Sequence, residues 1–383
     1  MPPRQHTIAI AEEALSELHR RVSAVRLPEV INLDGTNDGA SLRLVQRLID
    51  RWLNRYSWRS AEARLNRLPQ FIARIEGLDV HYVHQRGIGP APMPLVLTHG
   101  WPGSFIEMER ILPLLTNPGA HGGDPADAFD VVVPSLPGYG FSEAPPAAGV
   151  NAAVIADMWA ELMSGLGYDR FGAQGGDIGA GVSMWLARQR PELLTGIHVN
   201  YIPGSFMPHV HETTNPVTPG EQRFLESARL FAAENGAYAA LQGTKPQTLA
   251  YALSDSPVGL AAWMIEKFDA WSDHDGDLNA VIPLDTILTN IALYWFSGTI
   301  DASLRLYKEN RLRPLSFGPD ERVAVPLGVA VFPCELPLPP QSWVQRVFDV
   351  RHWSVMPKGG HFAALEQPAA LAEDIRVFFR PLR

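Results

Sequence analysis

"FGAQGGDIGA", Phe171 to Ala180, reads first as a glycine-rich phosphate loop in which one residue does not belong. A dinucleotide turn aims backbone N–H groups and a helix dipole at a pyrophosphate, and a carboxylate inside that turn would repel the ligand. Asp177 is such a carboxylate, and Gly176, Gly179 and Gly181 stand in the wrong order for the dinucleotide pattern. Small residues two places before and two after a central side chain let a tight strand-to-helix turn lift that side chain clear, as in a nucleophile elbow. Gly175 and Gly179 occupy those places around Asp177, with the strand-like "RFGAQ" before them and the helix-like "IGAGVSMWLARQR" after. The competing reading is an aspartate that only caps a helix N-terminus.

Around this segment lie short, continuously apolar runs bounded by turn residues: "PLVLTHG", "FDVVVPSLPG", "GIHVNYIPG", "VPLGVAVFP" and "WSVMPKGG". Helical patterns at 151–166 and 178–189 separate some of them, the signature of a mostly parallel sheet covered on both faces. An α/β fold follows. Residues 205–315 carry helical patterns with few strand signals, which predicts a helical cap inserted into the sheet order, with core segments at 71–204 and 316–383. Before them, Leu15, Leu18, Val22 and Val25, then Leu42, Val45, Ile49 and Trp52, recur at helical spacing. "WRSAEARLNRL" adds a short helix, and "ARIEGLDVHYVHQRG" predicts two antiparallel strands around a Gly-Leu-Asp turn. Residues 1–70 are therefore expected to form a helical arm ahead of the sheet.

The chain of 383 residues is 46% hydrophobic, enough to bury a substantial core. Its net charge of -9, with basic residues scattered, argues against nucleic acid as a partner. A single cysteine, Cys334, excludes an internal disulfide framework and a multi-cysteine metal site. Glu12 and Glu13 interrupt the N-terminus before any signal-peptide core, and no run approaches the roughly 20 apolar residues that cross a bilayer. A soluble, cytoplasmic protein is expected.

Three further segments bear on Asp177. "LVLTHGWPGS" ends a strand with His99, Gly100 and Trp101, placing the Trp101 N–H at the strand ends, where with the Ile178 N–H it would complete an oxyanion hole. "MPKGGHFAALEQP" puts His361 in a glycine-rich loop just past the last strand. Glu335, after "LGVAVFP", is placed to hold the imidazole in one tautomer, with Asp349 the alternative acid. Asp177, Glu335 and His361 follow the hydrolase order of nucleophile, acid and histidine. Each has a plainer reading, since the chain has 12 histidines and most histidines are structural or surface residues.

Over nearly its whole length the chain resembles the microsomal-type epoxide hydrolases in their soluble bacterial form. The likeness runs from "WRSAEARLNRLPQF" through "HGWPGS", "PSLPGYGFS" and "GGDIGA" to "TKPQTLAYALSDSPVGLAAW", "LYKENR" and "GGHFAALEQP". It implies an α/β-hydrolase fold with a helical lid and an N-terminal arm, a small epoxide as substrate, no cofactor, and a possible homodimer. It also implies that Tyr307, in "LRLYKENR", and Tyr238, in "ENGAYAALQ", are the two lid tyrosines that donate to the epoxide oxygen. Two departures stand out: the membrane anchor of the animal enzymes is missing, and Cys334 sits where those have a bulky apolar residue.

The residue types suit such a reaction. A carboxylate can open an epoxide at its alkyl carbon to form a hydroxyalkyl ester, tyrosines of pKa about 10 can donate to the oxygen, and a histidine can activate water against the ester. Haloalkane dehalogenases share an aspartate elbow, but a tryptophan commonly follows it and here Ile178 does; the Asp-Arg pair of fluoroacetate dehalogenases is also absent. A non-catalytic binding protein would not require the whole set. Two metal-like segments, "HVHE" at 209–212 and "SDHDGD" at 272–277, lack the partners or spacing of a site, and no metal is expected.

Overall fold

The computed structural model describes residues 3–29, 38–211 and 215–383. Among them a nine-stranded sheet runs in the order β1-β2-β3-β5-β4-β6-β7-β8-β9. Its strands are β1 (Arg4–Gln5), β2 (Gln70–Ile75), β3 (Leu78–Gln85), β4 (Met93–Thr98), β5 (Phe129–Pro134), β6 (Phe171–Gly175), β7 (Leu194–Val199), β8 (Val323–Val331) and β9 (Phe348–Val355). From β5 across to β9 every neighbouring pair is parallel, whereas β1, β2 and β3 extend one edge in antiparallel pairing. This is the mostly parallel sheet that the alternation of apolar runs and helices predicts, and it agrees with the α/β-hydrolase fold that the resemblance implies.

The central strands read as unbroken apolar runs because neither face meets water. Leu95, Val96 and Leu97 of β4 and Val131, Val132 and Val133 of β5 are all completely buried. Helices Ala152–Gly165 and Asp177–Gln189 pack against each other and hold the latter onto β6, β7 and β4, while Pro368–Phe379 packs on β7 and β8. Between β7 and β8 the chain passes through helices from Pro219–Glu234 to Ile300–Leu312, and its described residues add isolated bridges at Met207–Ser316 and His211–Asn215.

Among the described residues three helices precede β2: Glu12–Ser23, Leu42–Asn54 and Trp58–Leu65. The second buries Val45, Leu48 and Trp52 on one face and touches the inserted helices Pro257–Trp271 and Leu284–Ser297. Arg51 clamps Asp285 through Nε at 2.6 Å and Nη2 at 2.8 Å. The hairpin that follows differs from expectation. Its turn is Glu76–Gly77, both at positive φ (46° and 79°), while Leu78 and Asp79 already pair with Ile75 and Arg74. Leu78 is drawn into β3 because the core takes its side chain, and a two-residue turn at positive φ matches strand twist.

Asp374, on Pro368–Phe379, ties two strands together: its carboxylate meets His198 Nε2 of β7 and His352 Nε2 of β9, each at 2.8 Å. Burial works to raise the Asp374 pKa, but the hydrogen bond and charge of His198, followed by hydrogen bonds from Ser354 and His352, outweigh it and hold the group at about 2. This contribution to stability is present above the ordinary value of 3.8 and is lost as pH falls toward about 2. Asp374→Asn should cost about 2–3 kcal/mol by urea unfolding at neutral pH and should flatten the loss of stability below pH about 4.

Candidate active site

The elbow forms where β6 ends at Gly175 and the helix Asp177–Gln189 begins. Asp177 sits at φ +46°, a left-handed conformation that costs a non-glycine residue about 1–3 kcal/mol. The turn is tight enough to explain both flanking glycines. A Cβ on Gly175 would lie 2.2 Å from the Gly179 carbonyl carbon, and one on Gly179 would lie 2.0 Å from the Thr98 carbonyl oxygen of β4. The elbow is thus pressed onto the end of the neighbouring strand. Immediately beyond it the Trp101 N–H donates to Asp177 Oδ1 at 2.8 Å. Ile178 N–H follows in the first turn of the helix, where amides have no intrahelical acceptor.

The Trp101 ring, completely buried, stacks on Tyr238 at 5.7 Å between centroids and meets Tyr307 edge-on at 5.6 Å. The two tyrosines meet edge to face, 5.9 Å apart between centroids. Both come from the inserted helices, Ala237–Thr244 and Ile300–Leu312. Burial first, and then nearby charges and phenols that include Asp177, raise both pKa values above the ordinary range. Each therefore keeps its proton at neutral pH.

His361 is held between two carboxylates. Its Nδ1 lies 2.6 Å from Glu335 Oε1, and its Nε2 lies 3.7 Å from Asp177 Oδ2. A proton on Nδ1 bonded to Glu335 leaves Nε2 turned toward Asp177, the tautomer that a base acting there requires. Burial acts to lower the His361 pKa, but the charge and hydrogen bond of Glu335, followed by the charges of Asp177 and Glu107, raise it to about 9. Glu335 is the acid that reaches the imidazole; Asp349 pairs instead with Arg351 Nε at 2.8 Å.

Sequence reading did not find what fixes this loop. Gly359 N–H donates to Asp273 Oδ2 at 2.7 Å, Gly360 N–H to Glu366 Oε2 at 2.9 Å, His361 N–H to the Trp271 carbonyl at 2.9 Å, and Phe362 N–H to Glu366 Oε1 at 2.9 Å. Asp273 belongs to the segment that looked like a calcium loop, and its carboxylate also accepts from Cys334 Sγ at 3.3 Å. The available signal was the loop itself, since four consecutive amides at a buried turn need acceptors. Among the described residues no group of three or more His, Cys, Asp or Glu side chains could hold a metal ion, and Glu212 of "HVHE" lies outside them. Nor is any described helix long and apolar enough to cross a membrane.

A cavity of about 610 Å³ opens in front of Asp177, lined by Tyr238, Tyr307 and Tyr201 and by apolar groups such as Trp185, Phe231 and Leu336. Comparison with known proteins agrees with this fold. A family model described as epoxide hydrolase N terminus matches residues 3–108, and one described as alpha/beta hydrolase fold matches residues 93–258. A protein of Stigmatella aurantiaca is 46% identical over 98% of this chain and 84% of its own length. Epoxide hydrolase 1 of Oryctolagus cuniculus is 36% identical over 98% of this chain and 88% of its own. The chain belongs to the epoxide hydrolase family. It is a hydrolase, and its whole length superimposes on 97% of the epoxide hydrolase structure from Aspergillus niger with a TM-score of 0.86 at 30% identity. The juvenile hormone epoxide hydrolase structure from Bombyx mori gives 0.85 at 30% identity, with all of this chain and 94% of that one covered.

Because the Gly179 Cα faces the Thr98 carbonyl, Gly179→Ala should force the elbow away from β4. The expected result is a loss of about 1–3 kcal/mol in thermal unfolding and a fall of at least about 100-fold in epoxide turnover.

Proposed function

We propose that this epoxide hydrolase works through a covalent ester on Asp177. The observation that carries the reading is a carboxylate raised at positive φ between the Trp101 amide and the His361–Glu335 pair. An epoxide entering the large cavity meets Tyr238 and Tyr307, which donate to its oxygen while Asp177 attacks carbon from the other side. The inserted helices then act as a lid that carries the two acids and shapes an apolar chamber. Substrates with apolar substituents fit that lining best.

The charges around His361 give the second step its timing. In the resting site the Asp177 carboxylate helps keep the imidazole protonated. Esterification removes that charge, so His361 gives up its proton and becomes the base for water. Over the first step a tyrosine gives one proton to the new hydroxyl and is reprotonated from solvent, into which His361 releases its own, so that one proton in all leaves the resting site for the product. Water then attacks the Asp177 carbonyl carbon. The Trp101 and Ile178 N–H groups stabilise the oxyanion, each donor being worth about 2.7–4 kcal/mol by analogy with similar holes.

Asp177→Asn is expected to abolish diol formation; diol production at the original rate, with the asparagine shown intact by peptide mass, would refute the ester mechanism. His361→Gln should accumulate an adduct of full epoxide mass on the Asp177 peptide. Tyr307→Phe should slow ester formation by about 100-fold and ester breakdown much less, as rapid-quench measurements of the two half-reactions would reveal.

A further inference from the structure

Asp177 lines two cavities that share no other lining residue. The larger contains the tyrosines and the apolar wall. The smaller, of about 20 Å³, lies on the side of His361 and has room for a single water. Its polar lining comes from His361, Glu107, His99, Gln174 and Asn200. His99 has little left to offer, because Nε2 takes the Leu136 N–H at 3.2 Å and Nδ1 faces the Gly100 carbonyl at 3.1 Å. Gln174 Nε2 donates to Asn200 Oδ1 at 2.9 Å. Glu107 is different. Its carboxyl accepts the Ser104 amide and folds back against Gly103, where a Cβ would stand 1.3 Å from Oε1. With no side chain of its own, Gly103 leaves the space that this carboxyl occupies.

A water that attacks the ester carbon needs two acceptors, one for the proton it loses and one for the hydrogen it keeps during attack. His361 Nε2 is the first. We propose that the small cavity is the seat of the hydrolytic water and that Glu107 is the positioning residue that accepts its second hydrogen bond. The inference rests on the ester mechanism proposed above. Epoxide therefore enters on one side of Asp177 and water waits on the other, so the two steps do not compete for the same space.

The carboxyl suits this role in either protonation state. Removal from water, partly countered by His361 and reinforced by the Asp177 charge, raises the Glu107 pKa to about 8. Protonated or ionised, its carboxyl keeps an oxygen lone pair able to accept the hydrogen that the water retains. The step balances as follows. The water oxygen bonds to the Asp177 carbonyl carbon, and one proton goes to His361 Nε2. The bond from that carbon to the alkyl oxygen breaks, and the second water proton goes to the departing alkoxide. Asp177 is left as carboxylate and His361 as imidazolium, the resting pair.

The test compares Glu107→Leu and Glu107→Gln with the unaltered chain in rapid-quench single turnovers on styrene oxide, following the Asp177 ester by intact mass. Glu107→Leu should form ester at the original rate and hydrolyse it about 30-fold more slowly, so that ester accumulates. Glu107→Gln keeps an acceptor oxygen in the same position. It should hydrolyse ester within about threefold of the original rate, and one ionisation should vanish from the pH profile of that step. Equal slowing of both steps, or unslowed hydrolysis in Glu107→Leu, overturns the proposal. If Glu107→Leu does not fold, as judged by thermal melting, Glu107→Gln decides: an unchanged pH profile for ester hydrolysis is then fatal. Failure of the unaltered chain to form any Asp177 ester removes the underlying mechanism and this proposal with it, whereas ester formation with unslowed hydrolysis removes this proposal alone.

Discussion

The close approach of the Asp177 elbow to the end of β4 is the constraint on which the site depends. With only hydrogen on Gly179, the turn can rest against the Thr98 carbonyl, and that contact brings the Trp101 amide within hydrogen-bonding distance of Asp177. The left-handed backbone at Asp177 is a standing cost. It is sustained because β4 and β6 are paired over four registered positions and covered by completely buried side chains. A carboxylate at the start of a helix also gains from the positive end of the helix dipole.

A second consequence is the concentration of charge. Asp177, Glu335 and Glu107 all act electrostatically on one buried imidazole. Water screens such groups poorly here, so each change of charge on one is felt by the others. Loss of the Asp177 charge, as the proposed ester would bring about, would therefore alter the proton affinity of His361 without any movement of the chain. The attachment of the 359–362 amides to Asp273, Trp271 and Glu366 fixes the imidazole between the two carboxylates.

The aromatic cluster joins this charged site to the inserted helices. Trp101, fixed at the end of β4, packs against Tyr238 and Tyr307 from two different helices, and Lys267 lies over the Tyr238 ring at 4.5 Å. The N-terminal helices support the same insertion from behind through Arg51 and Asp285. The arm, the inserted helices and the strand ends thus form one continuous packed structure around Asp177.

By itself the sequence determined the sheet and the elbow. Both are local: strands buried on two faces must be apolar throughout, and a turn this tight demands glycine at Gly175 and Gly179 on either side of Asp177. Order along the chain also brought forward His361 and Glu335, since loops after parallel strands converge on one sheet edge. The turn at Glu76–Gly77 was misjudged by a residue or two because tertiary burial of Leu78 decides where β3 begins. The partners of long-range hydrogen bonds were decided only by the tertiary structure: Asp273 and Glu366 on the His361 loop, Asp374 between His198 and His352, and the positions of Tyr238 and Tyr307 beside Trp101. None of these pairings leaves a periodic trace, because an acceptor is chosen by where the folded backbone places an unpaired donor. The separation of Asp177 into an apolar front and a polar back is likewise a property of packed space, and spacing along the chain does not encode it.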